Sequence, residues 1–163
     1  MTPESTFRAV FSHLGAVTNY ARRRGSADAD ALAAEVMTIA WRRLEDVPKD
    51  DPRPWLYATA RNLLLEEGRK RGLRATNDRE QLVPAPELDE IDPSLRSALL
   101  ALSPLDREAL LLVAWEDLTP SQAAKALGVN PTAFRVRLLR ARRRLRARLE
   151  SDDALELAVA EGS

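Results

Sequence analysis

Thr119-Pro120-Ser121-Gln122-Ala123-Ala124-Lys125-Ala126-Leu127-Gly128-Val129-Asn130-Pro131 is the stretch on which the reading of this chain turns. Thr119 stands at a helix N-cap, Pro120 in the first turn, and Gln122 at the position that bonds back to the cap's own N–H. Gly128 suits the left-handed residue that closes a helix. Asn130-Pro131 then opens a second helix after a turn of only three residues. Two helices joined this tightly, the first short and rich in small residues, predict a helix-turn-helix.

The helix after the turn divides its labour. Phe134, Leu138, Ala141, Leu145 and Leu149 recur at four, three, four and four residues and form a core-facing stripe. Between 135 and 148 stand eight arginines in fourteen residues (Arg135, Arg137, Arg140, Arg142, Arg143, Arg144, Arg146 and Arg148) with no acid to pair with. Such a face repels itself unless a polyanion neutralises it, so it predicts contact with duplex DNA. Early residues of such a helix reach base edges and later ones the backbone, which names Arg135, Val136, Leu139 and Arg140 as readers.

Upstream, Ser103-Pro104-Leu105-Asp106 repeats the cap-then-proline device. Before it, residues 76–94 hold Asn77, Asp78, Pro84, Pro86, Asp89, Asp92 and Pro93 with little periodic apolar content, and read as a flexible linker. Residues 1–75 read as a second helical unit. Phe7, Val10, Phe11, Leu14 and Val17 mark its first helix. Leu32, Val36, Ile39 and Ala40 mark the next, and Leu56, Ala60, Leu63 and Leu64 the third, ending near Gly68 and Gly72. Between the last two, Glu45 to Pro54 carries three prolines in seven residues and must be a loop. No alternating strand pattern occurs. The expected fold is all-α, with small domains at 1–75 and 95–150, each marginal alone. The acidic tail 151–163 is expected to fray.

Composition narrows the functions. Cysteine is absent and His13 is the one histidine, read as a core or boundary residue. That removes thiolate metal sites and cysteine nucleophiles, and leaves no histidine-rich metal site or Ser-His-Asp pairing with spare partners. Adjacent acids such as Asp50-Asp51 and Glu66-Glu67 diverge by about 100° on a helix and make no acid–base pair. No catalytic residue, metal or cofactor is expected, and no apolar run reaches the roughly 20 residues of a membrane span. A cytoplasmic protein without membrane insertion is the default. Net charge is zero, but residues 76–118 carry −7 and residues 119–150 carry +8, so the average hides a dense cationic patch.

Two motifs then meet. Trp55-Leu56-Tyr57-Ala58-Thr59-Ala60-Arg61-Asn62, following Ala40-Trp41-Arg42-Arg43-Leu44, resembles region two of bacterial RNA polymerase sigma factors. Leu118 to Arg142, with Phe134-Arg135-Val136-Arg137-Leu138-Leu139-Arg140, resembles their region four. That order with a short linker is similar to the extracytoplasmic-function (ECF) group, and it covers about residues 7–149.

The resemblance implies a specificity subunit that docks on core RNA polymerase and directs promoter-specific initiation. Glu35, Val36, Ile39, Trp41, Arg42 and Arg43 would meet the β′ clamp helices. Val47, Arg53, Trp55, Thr59, Asn62, Arg69 and Arg71 would open and hold the minus-ten element. Thr119, Thr132, Arg135, Val136, Arg137, Leu139, Arg140 and Arg144 would read the minus-thirty-five element while this unit rests on the β flap. An inhibitory anti-sigma partner is a family expectation. The residues agree independently on one point: Trp55, Thr59 and Asn62 lie at i, i+4 and i+7, a face suited to stacking and edge recognition of an unpaired base. A stand-alone helix-turn-helix regulator explains 119–150 equally well, but not the nucleic-acid-like face of the first unit.

Overall fold

The computed structural model describes residues 2–70 and 91–162. Among them are eight α-helices and no strand: α1 (Pro3–Phe11), α2 (Leu14–Arg23), α3 (Ala29–Arg42), α4 (Arg53–Lys70), α5 (Pro93–Leu100), α6 (Pro104–Ala114), α7 (Pro120–Leu127) and α8 (Pro131–Glu161). The 76–94 linker falls mostly outside the described residues, as does Arg71.

Local chemistry sets most of the helix starts. Thr2-Pro3, Asp92-Pro93, Ser103-Pro104, Thr119-Pro120 and Asn130-Pro131 each place a side-chain oxygen on an orphan N–H of the first turn, ahead of a residue that needs no donor. At Thr119 the reciprocal box is complete, the Thr119 N–H donating to Gln122 Oε1 at 2.8 Å and the Gln122 N–H to Thr119 Oγ1 at 3.2 Å. Gly128 takes φ 67°, and its N–H closes α7 on the Ala124 and Lys125 carbonyls.

Three expectations fail. The first stripe is two helices, because Ser12 turns its hydroxyl onto the Ala9 carbonyl and His13 leaves helical geometry. Phe11, assigned to the core, is 46% exposed. The tail does not fray: α8 runs unbroken through Ser151–Glu161, since no glycine or proline interrupts that run and an established helix propagates easily through Ala, Leu and Glu.

The two units share one core. Val17, Tyr20, Val36, Leu56 and Leu64 of the first belong to the same buried cluster as Ala109, Leu112, Ala123, Ala124 and Phe134 of the second. At its centre lies Arg24, only 1% exposed. Its Nε donates to Glu108 at 3.0 Å and its Nη2 to Glu116 at 2.9 Å, while its guanidinium lies 3.6 Å from the centre of the Tyr20 ring. Arg23 adds a 2.9 Å bond to Glu116, and the Tyr20 hydroxyl donates to Glu108 at 2.9 Å. Marginal alone, each unit takes the other as its partner.

Tyr20 and Tyr57 are the only tyrosines and stack at 4.9 Å between centroids. Burial pushes both hydroxyls above their usual 10.0, with the Glu108 carboxylate adding to the rise at Tyr20 and Glu116 at Tyr57, against the neighbouring arginines. A raised folded-state value favours the native state fully below the ordinary tyrosine range and loses that contribution as pH rises through it. Tyrosinate absorbance is therefore expected to stay flat near pH 10 and to appear together with loss of helical circular dichroism. Ordinary titration of both tyrosines with the helices intact would contradict this arrangement.

Candidate nucleic-acid interface

In the second unit, α7 and the 128–130 turn hold α8 by its inner face. Phe134, Leu138 and Ala141 are buried, and Leu145 and Leu149 half-buried. The opposite face carries Thr132, Arg135, Val136, Leu139, Arg140, Arg142 and Arg143, all exposed. Asn130 caps the helix by accepting from the N–H groups of Thr132 and Ala133, which fixes where the exposed face begins.

The arginines are not all unpaired. Asp106, buried at the start of α6, accepts from Arg137 Nη1 at 3.1 Å and also from Arg144 Nη1. Sequence spacing missed this acid because it lies 31 and 38 residues away. Arg137 and Arg144, expected as DNA contacts, thus hold α8 onto α6. Thr119 likewise spends its hydroxyl on the α7 cap. Arg140, Arg142, Arg143, Arg146 and Arg148 have no carboxylate partner among the described residues. Arg140→Ala is expected to lower the salt slope of duplex binding by about 1, as for one phosphate contact, and Arg144→Ala by less. Titrating binding against salt with both variants checks the order.

In the first unit, α4 presents Asn62, Arg69 and Lys70 to solvent. Trp55 is half-buried against the core with Arg43 over its ring at 5.9 Å, and the Thr59 hydroxyl donates to the Trp55 carbonyl. Of the three residues expected to share an exposed face at i, i+4 and i+7, Asn62 is exposed and Trp55 and Thr59 are half-buried. Val47 departs from expectation: at 4% exposure it anchors the loop in the core and meets solvent only along a hollow beside α1. Val36, expected on the polymerase-facing side of α3, is wholly buried for the same reason, whereas Glu35, Trp41, Arg42 and Arg43 are exposed and Ile39 half-buried.

Trp41 forms an exposed aromatic patch with Phe7, ring edge to face at 5.2 Å, and Phe11 lies beside them. Phe7 is half-buried against the core as the stripe predicts, and the sequence missed this patch because it placed Phe11 in the core as well. The 47–52 loop and α1 enclose a hollow of about 210 Å³ lined by His13, Val47, Lys49 and Asp50.

Arg53 is clamped by Asp51 through two bonds of 3.1 and 3.0 Å. Burial pushes the Asp51 carboxyl up, but the side-chain and backbone hydrogen bonds from Arg53 outweigh it and hold the group below the usual carboxylate range. Asp51 also accepts from Gln122 Nε2 at 2.6 Å, tying the loop to the helix-turn-helix.

Family comparison agrees with this geometry. The sigma-70 region 2 model matches residues 10–74 and the sigma-70 region 4 model residues 93–145. The RNA polymerase sigma factor NccH of Alcaligenes xylosoxydans xylosoxydans is 31% identical over 87% of this chain and 85% of its own length. This chain belongs to the sigma-70 family. It is a sigma factor of the ECF group. Among solved structures, CnrH in complex with the cytosolic domain of CnrY superposes with a TM-score of 0.61 at 27% identity, covering 93% of this chain and 91% of that one. The sigma factor RpoE of Bartonella quintana, bound to its anti-sigma factor NepR, gives 0.65 at 23% identity over 89% and 96%, a likeness of fold.

Among the described residues no group of acids and histidine could hold a metal ion, and no helix is long and apolar enough to cross a membrane.

Proposed function

We propose that this sigma factor divides promoter recognition between its two exposed faces, with region 2 docking on core polymerase and opening the minus-ten element and region 4 reading the minus-thirty-five element as duplex. The observation that carries this division is the pair of family matches in order, each centred on a unit with its own exposed, nucleic-acid-like face. A regulator acting alone needs only the second face. Docking falls to the α3 surface of Glu35, Trp41, Arg42 and Arg43, enlarged by Phe7 and Phe11. Asn62 contacts an unpaired minus-ten base, with Arg69 on the adjoining backbone. Thr132, Arg135, Val136, Leu139 and Arg140 enter the major groove. The chain makes no bond itself and acts in the cytoplasm, where the polymerase is.

CnrH, its relative by structure, is held by the cytosolic domain of CnrY. An inhibitory partner of that kind is proposed here too, on the strength of that likeness.

Size-exclusion chromatography with bacterial core polymerase tests the reading. Co-elution at one-to-one stoichiometry is the expected result, and separation of a folded chain from core would return the stand-alone regulator. Asn62→Ala is expected to slow open-complex formation while sparing polymerase association. Loss of one amide hydrogen bond to a base predicts an effect of roughly 0.5–1.5 kcal/mol, read from the rate of permanganate reactivity at the melted thymines. A wild-type rate would remove Asn62 from the site.

A further inference from the structure

The outermost ridge of α8 is not basic over its first two turns, and Arg143 is the first cation to stand on it. At about 100° per residue, Thr132, Val136 and Leu139 fall at i, i+4 and i+7 on the side directly away from Phe134, Leu138 and Ala141. Val136 is 44% exposed and Leu139 49%. Arg135 and Arg142 flank this ridge on one side and Arg140 on the other. The helix therefore carries a methyl-bearing centre between cationic margins.

A second copy of the chain is a poor occupant for such a face, since it would bring arginine margins against arginine margins. The margins ask for a polyanion, and the centre asks for an apolar feature within it. On the major-groove edge of duplex DNA the one apolar group is the thymine C5-methyl. We propose that the Thr132–Val136–Leu139 ridge selects thymine methyls, so that this protein's upstream element carries thymines, on either strand, at neighbouring positions. From Thr132 to Leu139 the helix rises roughly 10 Å, which covers about three base-pair steps at 3.4 Å. Arg135 and Arg140 then bound the run at phosphates or at guanine edges. The inference rests on the reading of region 4 as the duplex-binding unit and adds the base chemistry it selects.

Deoxyuridine isolates that chemistry, because it pairs as thymine does and lacks only the methyl. Upstream elements are first selected from a randomised promoter library by the full chain in complex with core polymerase. Thymines in the selected run are then replaced singly by deoxyuridine. We expect each methyl in contact with the ridge to be worth about fourfold in affinity. Val136→Ala and Leu139→Ala should weaken binding to the thymine site and blunt the deoxyuridine effect at their own positions, whereas Val136→Thr, which keeps a methyl, should retain most of it. Both side chains are exposed, so the variants are expected to fold as the parent does.

Equal binding of thymine and deoxyuridine promoters, with initiation still dependent on the upstream element, would overturn the methyl readout and leave the sigma-factor reading standing. A deoxyuridine effect undiminished in both alanine variants would overturn the assignment to this ridge. Loss of core-polymerase association in Val136→Ala would assign the ridge to polymerase instead. Failure to select any upstream sequence, with no promoter-directed initiation, would remove the reading on which the inference rests.

Discussion

Arg24→Ala is expected to destabilise the protein by about 3–5 kcal/mol, the usual cost of leaving buried charge without its partner. The substitution strands two carboxylates at once. Glu108 would keep only the Tyr20 hydroxyl, and Glu116 only Arg23, whose side chain is 40% exposed. It also removes the cation lying 3.6 Å over the buried Tyr20 ring. Because Arg24 joins α2 to α6 and to the residues after it, the loss falls on the seam between the units. Urea unfolding should show a lower midpoint and a transition broadened or split, as two small helical units lose their shared cooperativity. Removing the carboxylates as well, in Arg24→Met with Glu108→Gln and Glu116→Gln, should recover much of the stability. A single unshifted transition in Arg24→Ala would show that the guanidinium holds nothing together.

That seam could not be read from the sequence, whereas the helix-turn-helix could. Caps and turns are local: Ser103, Thr119, Gln122, Gly128 and Asn130 each act within a few residues, so spacing alone reveals them. Arg24 follows Arg22 and Arg23 and differs from them in nothing but its surroundings. Its partners stand 84 and 92 residues away.

Asp106 hid for the same reason, and with it the pairing of Arg137 and Arg144. The family resemblance puts Val36 and Val47 at surfaces, although Val36 belongs to the α3 apolar stripe and a lone valine in a charged, proline-rich loop is first of all a core anchor. Phe11 erred in the opposite direction, because the stripe was drawn through a break at Ser12 that periodicity does not register. Val136 and Leu139 were legible as positions. Their exposure on the ridge, which gives them a chemistry, depends on which face α6 and α7 cover.

Holding the seam shut covalently is expected to abolish promoter-directed initiation, because the closed chain is too small for its task. In it α4 and α8 both pack against α7, which puts the two DNA faces within a few helix diameters, a few tens of ångströms. The minus-ten and minus-thirty-five elements are about 25 base pairs apart, or roughly 85 Å at 3.4 Å per step. Both faces are exposed in the closed form, yet they cannot reach both elements together. Parting the units exposes the Arg24 cluster, so contacts with polymerase and promoter must offset the packing lost.

Arg23 and Trp115 face each other across the seam at 5.6 Å, outside both DNA faces. With no native cysteine to compete, Arg23→Cys with Trp115→Cys can be bridged by a bis-maleimide containing a reducible bond. The bridged chain should fail on a promoter that needs both elements, and reduction of the bridge should restore initiation. Initiation by the bridged chain at the rate of the unbridged double variant would mean that the closed form spans the promoter as it stands. Failure that reduction does not reverse would trace to the substitutions and not to closure.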